Sequence, residues 1–140
     1  MTICYLSIGS NLKSPERQLR NSLKKINAIP KTQIISSSKI HLTLPHGINY
    51  WQPMYRNMAV AVKTYLKPLQ LLNYCQSIER NMGRVRNIHW FSRTIDIDIL
   101  TFGDKTIKNN RLTIPHPRMH ERNFVLLPLS EITALQTIEK

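Results

Sequence analysis

The stretch Arg93-Thr94-Ile95-Asp96-Ile97-Asp98-Ile99-Leu100 alternates branched apolar residues with acids over its central positions. A period of two belongs to a β-strand, whose successive side chains leave opposite faces. Ile95, Ile97 and Ile99 therefore point to a core, and Asp96 and Asp98 share the other face. Residues two apart on one face have Cα atoms ~6.5–7 Å apart. Carboxylates that close repel each other unless cations lie beside them. Mg²⁺ suits such a pair, because it takes one or two carboxylates and completes its shell with water and substrate phosphate oxygens. An isolated Asp-x-Asp is more often a wet strand face than a metal site.

The surroundings change that balance. The 140-residue chain has eight acids against twenty lysines and arginines, a formal net charge of +12. Two of those few acids share one strand face, just after Arg84, Arg86 and Arg93. A charge of this size favours a polyanionic partner, either nucleic acid or a nucleoside triphosphate. Acids beside arginines favour the triphosphate, since carboxylates hold metals while guanidiniums hold phosphate oxygens. On an RNA-binding module the same acids would repel the ligand, which makes that the weaker reading. No Gly-x-x-x-x-Gly-Lys-Ser/Thr loop occurs, so side chains must hold any nucleotide. Trp90, in the basic loop, can stack on a heteroaromatic ring, and His116, between two prolines, can donate to a phosphate. Nothing resembles a Ser-His-Asp or Cys-His nucleophile.

Working outward, Ile3–Ile8 reads as a strand ending at the turn signal Gly9-Ser10-Asn11. Ser14-Pro15-Glu16 reads as an N-cap, a first-turn proline and a first-turn acid; Leu19, Leu23 and Ile26 then fall on one helical stripe. Thr32–Leu42 is strand-like, with Ile34 and Ile40 on one face, and Asn57–Thr64 reads as a buried strand. Between them, residues 43–55 form a long loop with Tyr50, Trp51 and Tyr55, a length that suggests function. Pro68 opens a second helix with the stripe Leu71, Cys75, Ile78, Met82 and with Gln76 and Glu79 on a second face. Gly83 ends it, Gly103-Asp104 signals a hairpin, and a last helix is expected over 124–132, interrupted near Pro128. The order β-α-β-β-α-β fits an α+β fold, a ferredoxin-like plait with an antiparallel sheet and helices packed on both faces. A single domain over residues 1–140 is expected. Cys4 and Cys75 sit in apolar runs and read as buried free thiols of a reducing compartment. No apolar run is long enough to span a bilayer, so a soluble, cytoplasmic protein is expected.

Six ordered blocks carry a resemblance. Ser7-Ile8-Gly9-Ser10-Asn11-Leu12, Asn57-Met58-Ala59-Val60, Gln76-Ser77-Ile78-Glu79, Gly83-Arg84-Val85-Arg86, the Asp strand and Arg111-Leu112-Thr113-Ile114-Pro115-His116 together resemble the 6-hydroxymethyl-7,8-dihydropterin pyrophosphokinase family. The resemblance runs from residue 1 to about residue 132. It implies a monomer that uses ATP as co-substrate and passes its pyrophosphoryl group to the dihydropterin, releasing AMP. It implies two Mg²⁺ ions on Asp96 and Asp98, and Arg86 and Arg93 on the phosphates. Gln76, Glu79, Arg111, Thr113, His116 and Arg122 would line the ATP side, joined by Arg84 and by Trp90 closing with the basic loop. Thr43, Pro45, His46, Tyr55, Asn57 and Phe124 would hold the pterin, Tyr55 and Phe124 sandwiching its ring and Asn57 reading its amide edge. Nucleic acid and membrane are not implied as partners. The chain departs from the pattern at His46, His89, Phe91, Ser92 and Pro117, which leaves an inactive pterin- or nucleotide-binding paralogue as the alternative.

Overall fold

The structure, a computed structural model, describes residues 1–11, 14–43, 55–83, 85–86, 92–93, 95–117 and 128–133. Its strands are β1 (Thr2–Ser10), β2 (Thr32–Ser37), β3 (His41–Thr43), β4 (Tyr55–Thr64), β5 (Val85–Arg86), β6 (Ser92–Arg93), β7 (Ile95–Phe102), β8 (Ile107–Lys108) and β9 (Thr113–Ile114). Two helices, α1 (Pro15–Asn27) and α2 (Pro68–Asn81), connect β1 to β2 and β4 to the strands that follow. The main sheet has the order β2-β4-β1-β7, with β3 also pairing β4, and its pairings are antiparallel. Each helix crossover skips one strand, so the two β-α-β halves interleave as in a ferredoxin-like plait.

Alternation along the strands divides the buried residues between two faces. Cys4, Leu6 and Ile8 of β1, Met58, Val60 and Val62 of β4, and Ile95, Ile97 and Ile99 of β7 form one cluster with Leu19 and Ile26 of α1 and Leu71, Cys75 and Ile78 of α2. Ala59, Ala61 and Leu100 on the other face meet Leu129 and Ile132. These last two belong to a helical segment at 128–133, so helices cover both faces. A bulge carries β7 from one packing to the other. Leu6 pairs with Ile99 and Tyr5 with Thr101, leaving Leu100 as the extra residue. The bulge lets Ile99 stay with the first cluster, Leu100 join the second, and Phe102 return to the first.

Several expectations change. The strand expected over Thr32–Leu42 is two, β2 and β3, which pair with different stretches of β4. Ile34 and Ile40 nevertheless pack on one cluster as their shared face requires. Ser14 precedes α1 as expected but makes no side-chain cap. Its φ of 56° and ψ of 61° are left-handed, and a capping hydroxyl needs an extended backbone to reach back to the first-turn amides. Gly103-Asp104 does make a turn, with the Lys105 N–H donating to the Phe102 carbonyl at 3.1 Å. The hairpin it suggested does not form, because β8 pairs with β9 rather than with β7. Gly103 is required twice over. Its φ is +57°, and a Cβ there would stand 2.9 Å from Thr2 Cγ2. Of the expected last helix, residues 124–127 lie outside the described residues. Among the described residues no helix is long and apolar enough to cross a membrane.

Glu131 ties the 128–133 segment to the strand edge. Its carboxylate accepts from the Lys39 N–H at 2.9 Å and pairs with His41 Nε2. Burial pulls its pKa up, but the Lys39 amide and the His41 ring outweigh that and hold it below the usual carboxylate value. A depressed folded-state pKa gives stability that is present above the unfolded pKa and lost as pH falls through the folded one. Both side chains are about a third exposed, 28% and 32%, so solvent discounts the pair. Glu131→Gln should therefore cost about 0.5–1 kcal/mol at pH 7. In urea unfolding the gap between the two proteins should narrow as the pH drops through the carboxylate range, and a gap independent of pH would contradict this.

Candidate functional site

Strand β7 is the sheet's edge, and its outward side forms one wall of the site. The expected alternation holds: Ile95, Ile97 and Ile99 are buried at 0%, 4% and 3% exposure, while Asp96 and Asp98 are half-buried on the opposite face. Half-burial separates them from a fully wetted strand face. The pairing register supplies what lies beside them. Gly9 pairs with Asp96 on one side and Asn57 on the other, and Ser7 lies likewise between Asp98 and Ala59. Asn57 and Asp96 are thus two strand spacings apart, about 10 Å, with only a glycine between them. Gly9 contributes no side chain there, and the Asn57 amide is itself 3% exposed. Sequence reading ended the strand at Ile8 and took Gly9-Ser10-Asn11 for a turn, but β1 runs through Ser10, because pairing to β4 and β7 holds Gly9 and Ser10 extended.

On the edge side, α2 packs against β7 and presents Glu79, 8% exposed. Its Oε2 accepts from the Ile97 N–H at 2.8 Å, satisfying an edge amide that has no strand beyond it. Further along, the His116 N–H donates to the Leu100 carbonyl at 2.9 Å, so the segment after β9 lies against the same edge. Between helix, edge and segment is a cavity of about 400 Å³. Gln76, Glu79, Asp96, Asp98, Arg111, Thr113 and His116 all line it, with Leu72, Ile97, Ile99 and Leu112 supplying apolar wall. Residues from three separate stretches of the chain, read one by one from sequence, therefore meet around one space.

Loop 109–112 is braced for this. Asn109 Oδ1 accepts from the N–H groups of Arg111 and Leu112, both at 2.9 Å, and Leu112 is buried. Arg111 reaches back to α2, where its Nη2 donates to Asn73 Oδ1 and, at 3.0 Å, to Gln76 Oε1.

The remaining site residues are placed less fully. Arg86 and Arg93 lie on the β5–β6 pairing, in which Arg86 is opposite Ser92 and Val85 opposite Arg93. Thr43 and Tyr55 are paired to each other where β3 meets β4. Arg84, Trp90, Arg122, Pro45, His46 and Phe124 lie outside the described residues, as do His89 and Phe91. Asn57, 3% exposed, lies on the sheet face it shares with Asp96 and is not among the residues lining the cavity. Cys4 and Cys75 are free and buried, and burial pushes both thiols up to about 12, with the Glu79 charge adding to the effect at Cys75. Neither is a nucleophile at neutral pH.

The aspartate pair fits one kind of metal. Two carboxylates on one strand face offer hard oxygen donors and leave coordination positions for phosphate and water, as Mg²⁺ prefers. Among the described residues no group of three or more His, Cys, Asp or Glu could enclose an ion, which is the donor set a closed zinc-type site would need.

The chain is similar to known proteins along almost its whole length. The family model for 7,8-dihydro-6-hydroxymethylpterin-pyrophosphokinase matches residues 5–134. A 2-amino-4-hydroxy-6-hydroxymethyldihydropteridine pyrophosphokinase of Haemophilus influenzae is 43% identical over 134 residues, which cover 96% of this chain and 83% of that protein. The protein of the same name from Bacillus subtilis is 41% identical, covering 99% of this chain and 81% of its own length. A crystal structure of an HPPK-DHPS protein in complex with substrates superposes with a TM-score of 0.75 at 18% identity. There the match takes in 94% of this chain but 40% of the longer one, and at that identity it speaks for the fold alone.

Removing the Glu79 carboxylate tests how the β7 edge is held. Glu79→Ala strands the Ile97 amide in a buried setting and should cost about 1–3 kcal/mol in urea unfolding. Glu79→Gln keeps an acceptor oxygen and should cost distinctly less; equal losses would show that the hydrogen bond is not what matters.

Proposed function

The chain belongs to the 7,8-dihydro-6-hydroxymethylpterin-pyrophosphokinase family, and from that membership we infer its reaction. It transfers the β,γ-pyrophosphoryl group of ATP to the hydroxymethyl oxygen of 6-hydroxymethyl-7,8-dihydropterin in folate biosynthesis. The pterin oxygen forms a bond to Pβ, the Pα–O–Pβ bridge breaks, AMP departs, and the hydroxyl proton is released. One observation carries the assignment of residues. The cavity that joins Gln76, Glu79, Arg111, Thr113 and His116 also reaches Asp96 and Asp98.

In this reading ATP occupies the edge cavity, its base against the apolar wall and its phosphates directed at the aspartates. The pterin lies at the sheet face beside Gly9, where Asn57 reads its amide edge. Thr43, Pro45, His46, Tyr55 and Phe124 complete its pocket. Asp96 and Asp98 would then stand between the two ligands, where Pβ and the attacking oxygen must lie ~3–3.5 Å apart. Asp96 and Asp98 would hold two Mg²⁺ ions, which supply charge neutralisation to the triphosphate when bound. Arg86, Arg93 and Arg84 are assigned to the phosphates, Arg122 to the ATP side, and Trp90 to covering the site. No side-chain general base is needed in this scheme, since alignment and charge stabilisation carry most of phosphoryl transfer. We place the enzyme in the cytoplasm as a monomer.

The test is direct. The protein mixed with ATP, Mg²⁺ and the dihydropterin should form AMP, not ADP, and only when the pterin is present. Nucleotide and pterin binding without AMP would identify an inactive paralogue. Asp96→Ala should lower kcat by about 10²–10³-fold or more, the scale of losing one transition-state stabiliser. Its melting temperature should stay near the wild-type value, since Asp96 is outside the apolar core. A variant of undiminished activity would remove the metal assignment.

A further inference from the structure

Asn73 has no place in the sequence reading and stands outside the lining of the edge cavity. It lies three residues before Gln76 on α2, so the two side chains are neighbours on one helix face. Both turn an amide oxygen to the same nitrogen, Arg111 Nη2. An arginine offers only donors, so these contacts require the oxygens of both amides to face it. The backbone beneath Arg111 is fixed separately by Asn109. A long exposed side chain at the cavity rim is therefore held at its base and at one corner of its tip. Among the described residues, these two amides are the partners of the guanidinium.

We propose that Asn73 is a positioning residue for nucleotide binding: with Gln76 it fixes the Arg111 guanidinium over the edge cavity before the nucleotide arrives. The proposal rests on the pyrophosphokinase reading of that cavity. A free arginine would lose its rotamer freedom on meeting the ligand, and fixing it in advance removes that cost from binding. Gln76 cannot do this alone, because one acceptor leaves the planar group free to swing about a single contact. Held at Nη2, the guanidinium keeps its remaining N–H groups for the ligand. The opposite reading, that Asn73 holds Arg111 away from the nucleotide, predicts the reverse sign.

Calorimetric titration of the full chain with α,β-methylene-ATP and Mg²⁺ distinguishes them, because this analogue cannot break the bond cleaved in transfer. Asn73→Ala should weaken binding about 3- to 10-fold. Asn73→Leu, similar in size but without the carbonyl, should do the same. In an Arg111→Ala background the Asn73 substitutions should have no further effect. Pterin affinity and melting temperature should not move, as they would if Asn73 served the fold in general. Unchanged or tighter binding by the Asn73 variants, or a loss that persists without Arg111, would overturn the proposal. A wild-type chain that does not bind the analogue would overturn the pyrophosphokinase reading itself, and the proposal with it.

Discussion

Strand β1 is paired along its length on both sides, to β4 from Thr2 to Ser10 and to β7 from Cys4 to Ser10. Everything else in the structure takes its position from that double register. Because side chains alternate faces, a slip of one residue against either neighbour would carry Asp96 and Asp98 into the helix-covered core and bring isoleucines to the surface. The cost of burying two unpaired carboxylates would be prohibitive. The register is therefore held by the hydrophobic pattern and by the price of the alternative, and the site inherits its geometry from both.

The chain divides labour between the two faces of this sheet. Large branched residues pack under α1 and α2, whereas the opposite face carries Ser7, Gly9 and Ala59, small residues of which Ala59 packs with Leu129 and Ile132. Glu79 and the segment after β9 close the hydrogen bonds of the β7 edge, which would otherwise be a template for pairing with another chain. The same closure shapes the edge cavity. Stability at this edge and the shape of the site thus come from the same contacts.

The aspartate strand, both helices and the buried β4 were legible because each has a strong period and a matching boundary residue. Cys75 and Ile78 fell on the buried stripe of α2, with Glu79 beside it on the face that borders the cavity. Local chemistry was less reliable where tertiary pairing decides. Ser14 has the composition of a cap but a left-handed backbone, and Gly103-Asp104 makes its turn without the hairpin because β9 competes for β8. The Asn57–Gly9–Asp96 register and the Asn73–Arg111 contact depend on residues far apart in sequence, so no window of sequence contains them. Gln76, Glu79, Arg111, Thr113 and His116, all in the ordered motif blocks, line the edge cavity, while Arg84, Trp90 and Arg122 lie outside the described residues. The blocks did not place Asn57 relative to that cavity; the register does, two strands from Asp96 across Gly9.

The proposed place of the aspartates, between nucleotide and pterin, is the central claim, and a paramagnetic ion can test it in one complex. With Mn²⁺ in place of Mg²⁺, and α,β-methylene-ATP and 6-hydroxymethyl-7,8-dihydropterin both bound, relaxation should be enhanced at the β-phosphorus and at the pterin hydroxymethyl protons together. Asp98→Asn should diminish both effects. Enhancement confined to the nucleotide, with the hydroxymethyl protons unaffected in a complex shown to contain the pterin, would contradict the placement of the aspartates between the two ligands.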